Sequence, residues 1–353
     1  MPVSLVRAVL QSESGDATAA TSPSAEPFIS LVLTGRNDGY GGDFVTRFLR
    51  TLRFNRRQLV DRRIPYEIVF VEWAPPDDRP GLAQLAAEAI PEIEGDACSW
   101  YVVDARYQTA LSLNPRLEYL EFIAKNVGVR RARGRFVLTS NCDVFLGRQI
   151  LDVLCRRALE PGVVYRAPRY DIKLAADHSS LDWEVLEDPR NLDGPASRLK
   201  PPFMSGGTGD FILLDRETFH AVRGFNEVYR AARIGIDRNF IVKALSSGLP
   251  IVDIGGPVYH VNHAGSYHLT QQAYHGREDE APWGDDRWHS AGVIYMNPPT
   301  WGLDGAPVKP LGHQRWLMEF CWRAVPKLVD LKRVVLPAAR VGGPVPGRYL
   351  RRS

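Results

Sequence analysis

An amide and a carboxylate stand two residues apart, directly after a buried apolar run of the sequence. In SNCDVF, Asn141 and Asp143 flank Cys142, so an extended strand would turn both oxygen-bearing side chains to one face. Such ligands suit Mg²⁺ or Mn²⁺, which often take one or two carboxylates together with the phosphates of a substrate. The segment therefore predicts a divalent-cation site that receives a diphosphate. The alternative is an aspartate satisfied within a turn.

Other side chains have the chemistry to work beside this pair. Glu72, at the end of IVFVEWAPP, can accept hydrogen bonds from a ribose hydroxyl or a base N–H, or it can cap a helix or turn. His260, in VYHVNH, can join an ion held by Asp143. His263 is expected to face the opposite way on the same strand, with a structural or surface role. Asp237, in IGIDRNF, suits either a general base or a helix N-cap.

The elements that must position these residues alternate along the chain. Continuous apolar runs predict buried strands in FISLVLTGRND, YEIVFVEWAPP, SWYVVDA and GRFVLTSNCDVF, and segments with helical spacing separate them. This alternation is typical of βαβ units and predicts an α/β fold with a mostly parallel sheet flanked by helices. Ligands of such sheets bind beyond the carboxyl ends of the strands, here residues 34–38, 72–76, 104–107 and 141–145.

The second half of the chain is less regular. VVYRAPRYDI predicts one strand, and residues 175–205 predict a long binding loop. IDRNFIVKALSSG predicts a helix that ends at Gly248, and PIVDIGGPVYHVNH predicts two short strands around a Gly-Gly turn.

Composition excludes several classes of protein. Hydrophobic residues make up 44% and charged residues 24% of 353, which is ordinary for a folded protein. The balance of 44 basic and 41 acidic residues argues against a dedicated nucleic-acid binder. No apolar run approaches the roughly 18 residues of a membrane span. The 4 cysteines form no CxxC pair, which predicts reduced thiols and a cytoplasmic protein.

The two ends of the chain differ from its body. Residues 1–27 are rich in small and polar residues and predict a flexible leader. Residues 315–353 hold 9 basic and 2 acidic residues. Their amphipathic stretch predicts peripheral contact with the anionic inner face of a membrane, and a solvated tail is the alternative.

Taken in chain order, these motifs resemble those of nucleotide-sugar-dependent glycosyltransferases of the GT-A fold, close to the family 2 type. The resemblance is carried by LVLTGRND, by Glu72, by AKNVGVRRARGRFVLTSNCDVF, by GGTGDFILLDRETFHAVRGFNE, and by Asp237 and His260. It covers residues 28–265, and implies a GT-A (Rossmann-like) domain with a nucleotide-sugar half (28–150), an acceptor half (151–265) and a C-terminal extension (266–353).

The resemblance also implies roles for particular residues. The nucleotide sugar would contact Thr34, Arg36, Asn37, Glu72, Lys125, Asn141 and Asp143. Asp143 and His260 would hold Mn²⁺ or Mg²⁺, and Asp237 would be the base, with Asp210 near the acceptor as a second catalytic candidate. Trp183, Gly209 and Asp210 would bind the acceptor. Trp283, Trp288 and Trp301 are further candidates for stacking on sugars, and packing is the alternative for every tryptophan.

The implied reaction is an inverting, metal-assisted transfer of a hexose, with UDP as the expected nucleotide and a carbohydrate, lipid-linked or small-molecule acceptor. The sequence departs from the pattern where Asn141 replaces the first acidic residue of a DxD motif, and where Ile236-Asp237 replaces an acidic pair.

Three other functions stay open. A nicotinamide-dependent dehydrogenase is disfavoured because TGRNDGYGG lacks the G-x-G-x-x-G spacing. A sugar nucleotidyltransferase would need a Gly-rich basic loop that Arg36 and its neighbouring glycines match only in part. A non-catalytic protein that binds carbohydrate or nucleotide sugar is kept open by Asn141.

Overall fold

The computed structural model describes residues 26–95, 98–115, 117–173, 181–193, 199, 209–230, 235–263 and 295–311. Its strands are β1 (Ile29–Gly35), β2 (Tyr66–Trp73), β3 (Cys98–Val103), β4 (Phe136–Thr139), β5 (Val144–Leu146), β6 (Val164–Arg166), β7 (Arg169–Ile172), β8 (Ile212–Asp215), β9 (Ile251–Asp253), β10 (Val258–Val261) and β11 (Lys309–Leu311). Its α-helices are α1 (Phe44–Asp61), α2 (Leu82–Ala89), α3 (Ala105–Leu111), α4 (Glu121–Arg131), α5 (Arg148–Cys155), α6 (Trp183–Glu187), α7 (Arg216–Ala221) and α8 (Ile236–Ser246). Short 3₁₀ turns follow at Pro91–Gly95 and Pro189–Asn191.

A central sheet runs in the order β11-β3-β2-β1-β4-β8-β6-β9. Strands β3, β2, β1 and β4 are parallel to one another, β8 runs antiparallel to β4 and β6, and β9 is parallel to β6. Every residue of β1 is buried, as expected for a strand with helices on both faces. The predicted α/β class with a mostly parallel sheet flanked by helices is therefore confirmed.

Helix α4 lies very close to the sheet because one of its residues has no side chain. A Cβ on Gly128 would come within 2.4 Å of Cγ1 of Val32 on β1. Every residue from 122 to 129 is buried, whereas an amphipathic helix on the surface of a protein buries only one stripe of its residues. This close packing holds the buried Lys125 against the carboxyl edge of the sheet.

Two segments that were predicted as single strands each break into two. GRFVLTSNCDVF gives β4 in the central sheet and β5 in a second sheet of order β5-β10-β7, and VVYRAPRYDI gives β6 and β7 in the same way. The side chain of Asn55 on α1 contributes to the first break, because its amide bonds Val144 O (2.8 Å) and Leu146 N (3.0 Å) of β5. Pro168, which has no N–H to give to a ladder, lies at the second break.

Part of the predicted C-terminal extension belongs to the body of the domain. Strand β11 pairs antiparallel with β3 at the edge of the central sheet, and Trp301 is 1% exposed in a core cluster with Phe219 and Phe225. The domain boundary at residue 265 stays a prediction. The predicted leader lies outside the described residues up to residue 25. The basic segment 315–353, for which membrane contact is predicted, also lies outside them. No helix in the described part of the chain combines the length and the apolar character needed to cross a membrane.

Candidate functional site

Asp143, His260 and His263 bring their ligand atoms together at the carboxyl edge of the sheet. One atom from each lies within 4.8 Å of the others, and the Asp143 carboxylate is 3.7 Å from His260 Nε2 and 3.4 Å from His263 Nε2. Asp143 lies in the turn between β4 and β5, and His260 lies on β10, which pairs with β5. The expectation that His263 faces away was wrong, because β10 ends at Val261 and the alternation of a strand does not extend to it.

Burial and neighbouring side chains shift the pKa values of Asp143 and His263. Burial alone would raise the pKa of the Asp143 carboxyl, but His260, His263 and Arg47 together hold that pKa well below its ordinary value. Burial lowers the pKa of His263, which favours the neutral imidazole that can bind a metal ion. Asp171 contacts His260 Nδ1 at 2.9 Å, and a carboxylate at this ring nitrogen directs Nε2 toward the centre of the group.

The loop between β1 and α1 lies directly over this group. Gly39, Gly41 and Gly42 have φ values of 78°, 70° and 92°, and a Cβ on Gly41 would lie 2.6 Å from His263 Nδ1. The buried Arg47 ties the loop to the site, since its guanidinium donates to Tyr40 O (2.8 Å), pairs with Asp43 and reaches Asp143 (3.4 Å). The loop approaches the histidine so closely only because Gly41 has no side chain.

Asn141 belongs to a neighbouring network and not to the Asp143 group. Its Oδ1 accepts from Lys125 Nζ (2.7 Å), and its Nδ2 donates to Asp210 Oδ1 (2.6 Å). The prediction that Asn141 and Asp143 share one face of a strand was wrong, because residues 140–143 leave the ladder of β4 before β5 begins. Lys125 is fully buried, and it also donates to Gly209 O and pairs with Glu121.

Arg169 and Asp171 connect the two groups. Arg169 Nη1 donates to Asp210 (2.6 Å), and its other nitrogens donate to Asp171 (2.5 and 2.9 Å), which contacts His260. Both lie on β7 two residues apart and therefore project on the same side of that strand. A continuous series of polar contacts thus runs from Lys125 to His260.

A cavity of about 520 Å³ opens at the ends of β1, β2 and β3. Its walls come from residues 74–77, from helix α3 and from the residues that follow that helix, and Arg36 lies in its lining. Arg36 donates to Ala74 O (2.9 Å) and to Glu118 (2.7 Å). Thr34, buried on β1, accepts from Tyr119 Oη (2.5 Å), and Asn37 donates to Pro80 O (2.8 Å). The roles of Thr34, Arg36 and Asn37 in donor binding stay predictions.

Glu72 is buried at the end of β2 beside the start of α2. Both carboxylate oxygens lie 3.1 Å from the N–H of Leu82, so in this structure Glu72 caps that helix. Burial raises the pKa of Glu72 from 4.5 to about 7, and the bond from Leu82 only partly offsets this. The contact is the capping alternative recognised in the sequence, and a nucleotide contact by Glu72 stays a prediction.

The two candidate catalytic carboxylates differ in accessibility. Asp210 is 2% exposed and is held by Asn141 and Arg169. Asp237 is half-buried in the first turn of α8, whose N-cap is Gly235, so the capping alternative for Asp237 does not hold. A Cβ on Gly209 would lie 3.1 Å from Asp237 Cβ, which places Asp237 beside the backbone that Lys125 contacts.

The tryptophans with described positions are engaged in packing. The ring of Trp183 meets Phe54 edge-on (centroids 5.0 Å apart), lies under Arg148 (4.8 Å) and donates from Nε1 to Gln58 (3.2 Å). Acceptor binding by Trp183 stays a prediction, and Trp283 and Trp288 lie outside the described residues.

Sequence reasoning missed several residues of this edge. Arg47 carried a signal, because it stands on the apolar face of α1 among Phe44, Phe48 and Thr51. Arg169 and Asp171 carried a weaker signal, as charged residues that alternate on a strand just before the irregular segment. The position of His263 depends on where β10 ends and had no local signal.

Comparisons with known proteins find distant likenesses. The chain aligns with the mannosyltransferase PcManGT from Pyrobaculum calidifontis, solved with GDP-Man and Mn²⁺, at 18% identity and a TM-score of 0.43, over 83% of this chain and 72% of that one. GalNAc-T7, solved with UDP, GalNAc and Mn²⁺, aligns at 12% identity and a TM-score of 0.46, over 80% of this chain and 54% of that one. S. aureus TarS 1–349, solved with UDP, aligns at 12% and 0.40, over 70% of this chain and 63% of that one.

No protein-family model and no curated protein matches the sequence. The chain spans only 54% of GalNAc-T7 and 63% of the TarS fragment.

Proposed function

We propose that this chain transfers a sugar from a nucleoside-diphosphate sugar to an acceptor hydroxyl, with inversion at the anomeric carbon. The observation that carries the proposal is the group of Asp143, His260 and His263, at the same edge of the sheet as the cavity beside Arg36. A nucleotide sugar needs a cation for its diphosphate and a pocket for its base, and the carboxyl edge of a parallel sheet is where both are expected. The order of the sequence motifs supports the same function.

The donor set of this group fits a divalent cation. Asp143 offers an oxygen, the two histidines offer ring nitrogens, and Asp171 orients His260 as outer partners of metal ligands do. A mixed set of oxygen and imidazole favours Mn²⁺ over Mg²⁺, which prefers oxygen ligands. Asp143, His260 and His263 would hold this Mn²⁺, and the bound ion would offset the negative charge that develops on the leaving diphosphate.

Asp237 is the better placed of the two carboxylates to act as the base. It is half-buried and therefore open to an acceptor, whereas Asp210 is buried in bonds to Asn141 and Arg169. The Asp237 carboxylate would take the proton of the acceptor hydroxyl as its oxygen bonds to the anomeric carbon. The bond from that carbon to the diphosphate oxygen breaks on the opposite side, which inverts the configuration.

The proposed donor is a UDP-sugar that carries a hexose, and GDP is the competing nucleotide to test. Arg36 would border the nucleotide in the cavity, where its guanidinium is anchored by Ala74 O and Glu118. The acceptor is a carbohydrate, a lipid-linked molecule or a small molecule with a free hydroxyl.

The first experiment measures binding of Mn²⁺ by calorimetry, and then of UDP and GDP with Mn²⁺ or with EDTA. We expect one nucleotide to bind only with the metal. We expect His263→Ala and Asp143→Asn to weaken Mn²⁺ binding by roughly tenfold or more, because each removes a ligand. His220→Ala is the matched control, since this half-buried histidine contacts Trp301 and not Asp143.

Nucleotide binding that does not depend on metal, or equal Mn²⁺ affinity in the His263 and His220 variants, would contradict the proposal. Release of free sugar from the donor that binds then separates an enzyme from a non-catalytic binding protein. Binding without any hydrolysis or transfer would favour the non-catalytic protein.

A further inference from the structure

The contacts of Asn141 assign it a role that its place in an N-x-D motif does not suggest. Its amide oxygen accepts from a buried cation, Lys125 (2.7 Å), while its amide nitrogen donates to a buried anion, Asp210 (2.6 Å). An amide can do both at once from two separate atoms, whereas a carboxylate only accepts and an ammonium group only donates. The residue type therefore matches two neighbours of opposite charge.

The groups around Asn141 already include more carboxylates than cations, so a further carboxylate would add to an excess of negative charge. Lys125 faces Glu121 as well as Asn141, and Asp210 faces Arg169, which also pairs with Asp171. Arg166 on β6 interacts electrostatically with Asp210 and Asp237. Asp143 lies two residues after Asn141 in the sequence. A carboxylate in place of Asn141 would lie within hydrogen-bond distance of Asp210 Oδ1, with no proton donor between the two oxygens.

We infer that Asn141 is a positioning residue whose neutral amide aligns Lys125 with Asp210, and that it is not a ligand of the metal or of the diphosphate. The inference rests on the transferase function proposed above for the roles of these two partners, but the pairing itself is a property of the folded chain. Its consequence is that Asn141→Asp, which would complete a DxD motif, damages the site and does not improve metal binding.

Asn141 also completes a longer path of contacts. Asp210 bonds Arg169, Arg169 bonds Asp171, and Asp171 contacts His260 of the metal group. On the other side, Lys125 holds Gly209 O beside Asp237. The amide therefore connects Lys125 on α4 to the series of contacts that runs from Asp210 to the metal group, and its loss is expected to change the placement of Lys125 relative to Asp210.

The test is a double-mutant cycle in thermal unfolding, measured without metal or donor. Asn141→Asp should lower the unfolding midpoint by roughly 5 °C, because two buried acceptors then face each other. Asp210→Asn should also lower it. The double variant should regain at least about half of the summed loss, because it exchanges the two groups: the new amide at position 210 can donate to the new carboxylate at position 141 and accept from Arg169.

The control pair is Asn191→Asp with Asp210→Asn. The Asn191 amide donates to a backbone carbonyl, Val185 O (2.8 Å), so its substitution should add to that of Asp210 without coupling. Simple additivity of Asn141→Asp and Asp210→Asn would overturn the pairing, and this result does not depend on the proposed function.

Metal binding and kinetics test the positioning role. Asn141→Asp should keep the Mn²⁺ affinity within roughly threefold of the parent, whereas a tenfold gain would make position 141 part of the ligand set and overturn the inference. Asn141→Ala should lower kcat by roughly tenfold or more with donor KM nearly unchanged. A rise in donor KM at unchanged kcat would make Asn141 a donor ligand instead. If the parent protein binds no Mn²⁺, the proposed function fails while the unfolding cycle still decides the pairing.

Discussion

At the scale of single residues, the unusual feature is how many charged groups the carboxyl edge buries. Lys125, Asp210, Arg169 and Asp143 are all less than a tenth exposed, and each has a partner of opposite charge or a matching amide. Isolated charges would not remain ionised in such a place, since burial favours the neutral form. Glu72 is the exception, because its bond from Leu82 is to a neutral N–H group.

Glu72 should therefore make the stability of the protein depend on pH. The pKa of Glu72 is about 7 in the folded chain and 4.5 ordinarily. Between these pH values Glu72 is ionised in the unfolded chain but still protonated in the folded chain, which lowers the free energy of unfolding. Stability from this group is complete below pH 4.5 and falls as pH rises to 7, by up to about 3 kcal/mol. Glu72→Gln should remove this fall, so that the variant gains on the parent between pH 4.5 and 7.

Urea unfolding at pH 5 and pH 8 measures this difference. The control is Glu88→Gln, which removes an exposed carboxylate from the same helix, α2, and should leave the pH dependence as it is. Parallel pH curves for the parent and the Glu72 variant would show that the buried carboxyl is not the cause.

At the scale of elements, the loop between β1 and α1 and the metal group form one unit. The loop reaches His263 only through glycine at position 41, while Gly42 is equally left-handed but has nothing within 4 Å of an added Cβ. This difference separates the cost of backbone conformation from the cost of contact.

Gly41→Ala and Gly42→Ala form a matched pair. The left-handed backbone should cost both variants about 1–2 kcal/mol of stability, because φ is 70° and 92°, and contact with His263 and Arg47 should cost the variant at 41 more. Only the alanine at 41 meets His263 and Arg47, so only that variant should lose Mn²⁺ affinity, by roughly tenfold. Calorimetry with Mn²⁺ checks this, and equal affinities for the two variants would mean that the loop does not shape the metal group.

The sequence predicted the parallel core well and the edge of the sheet less well. Apolar runs and helical spacing located β1 to β4 and the helices α1, α2 and α4, because burial on both faces of the sheet leaves a strong pattern, whereas the short helix α3 was not predicted. The turn at 140–143 escaped because β5 is a short apolar strand that continues the pattern of β4. The break before β7 left a signal that the prediction did not use, since Pro168 has no N–H and Arg169 and Asp171 interrupt the apolar run. Asp143 and His260 could be named as candidates for one metal site, but including His263 required knowing where β10 ends, which local sequence does not give.

At the scale of the whole molecule, residues 295–311 fasten the far end of the described chain to the domain. The Asn297 side chain, fully buried, bonds the backbone of Arg223, Phe225 and Glu227, and Gly302 N donates to Glu227 (2.8 Å). Trp301 then packs between Arg130 and His220. The segment therefore shares the core of the domain, and should unfold together with it.

Trp301→Ala should lower the free energy of unfolding by about 3–5 kcal/mol, as expected for a large aromatic side chain lost from a core. Met296→Ala, in the same segment but 43% exposed, should change it by less than about 0.5 kcal/mol. Chemical unfolding followed by fluorescence and by circular dichroism should give one coincident transition. A separate transition for the Trp301 variant would mean that residues 295–311 form an independent unit.

The rate at which a thiol reagent labels Cys142 can report how often the turn at the centre of the site opens. Its thiol is 4% exposed, donates to Thr34 O (2.9 Å) and has a pKa raised well above its ordinary value, first by burial and then by Asp143. A thiol reagent can therefore modify it only while the turn stands open, whereas the exposed Cys155 reacts at all times. Because Cys142 lies between Asn141 and Asp143, the ratio of the two labelling rates reports how often the segment that carries both residues leaves its folded position.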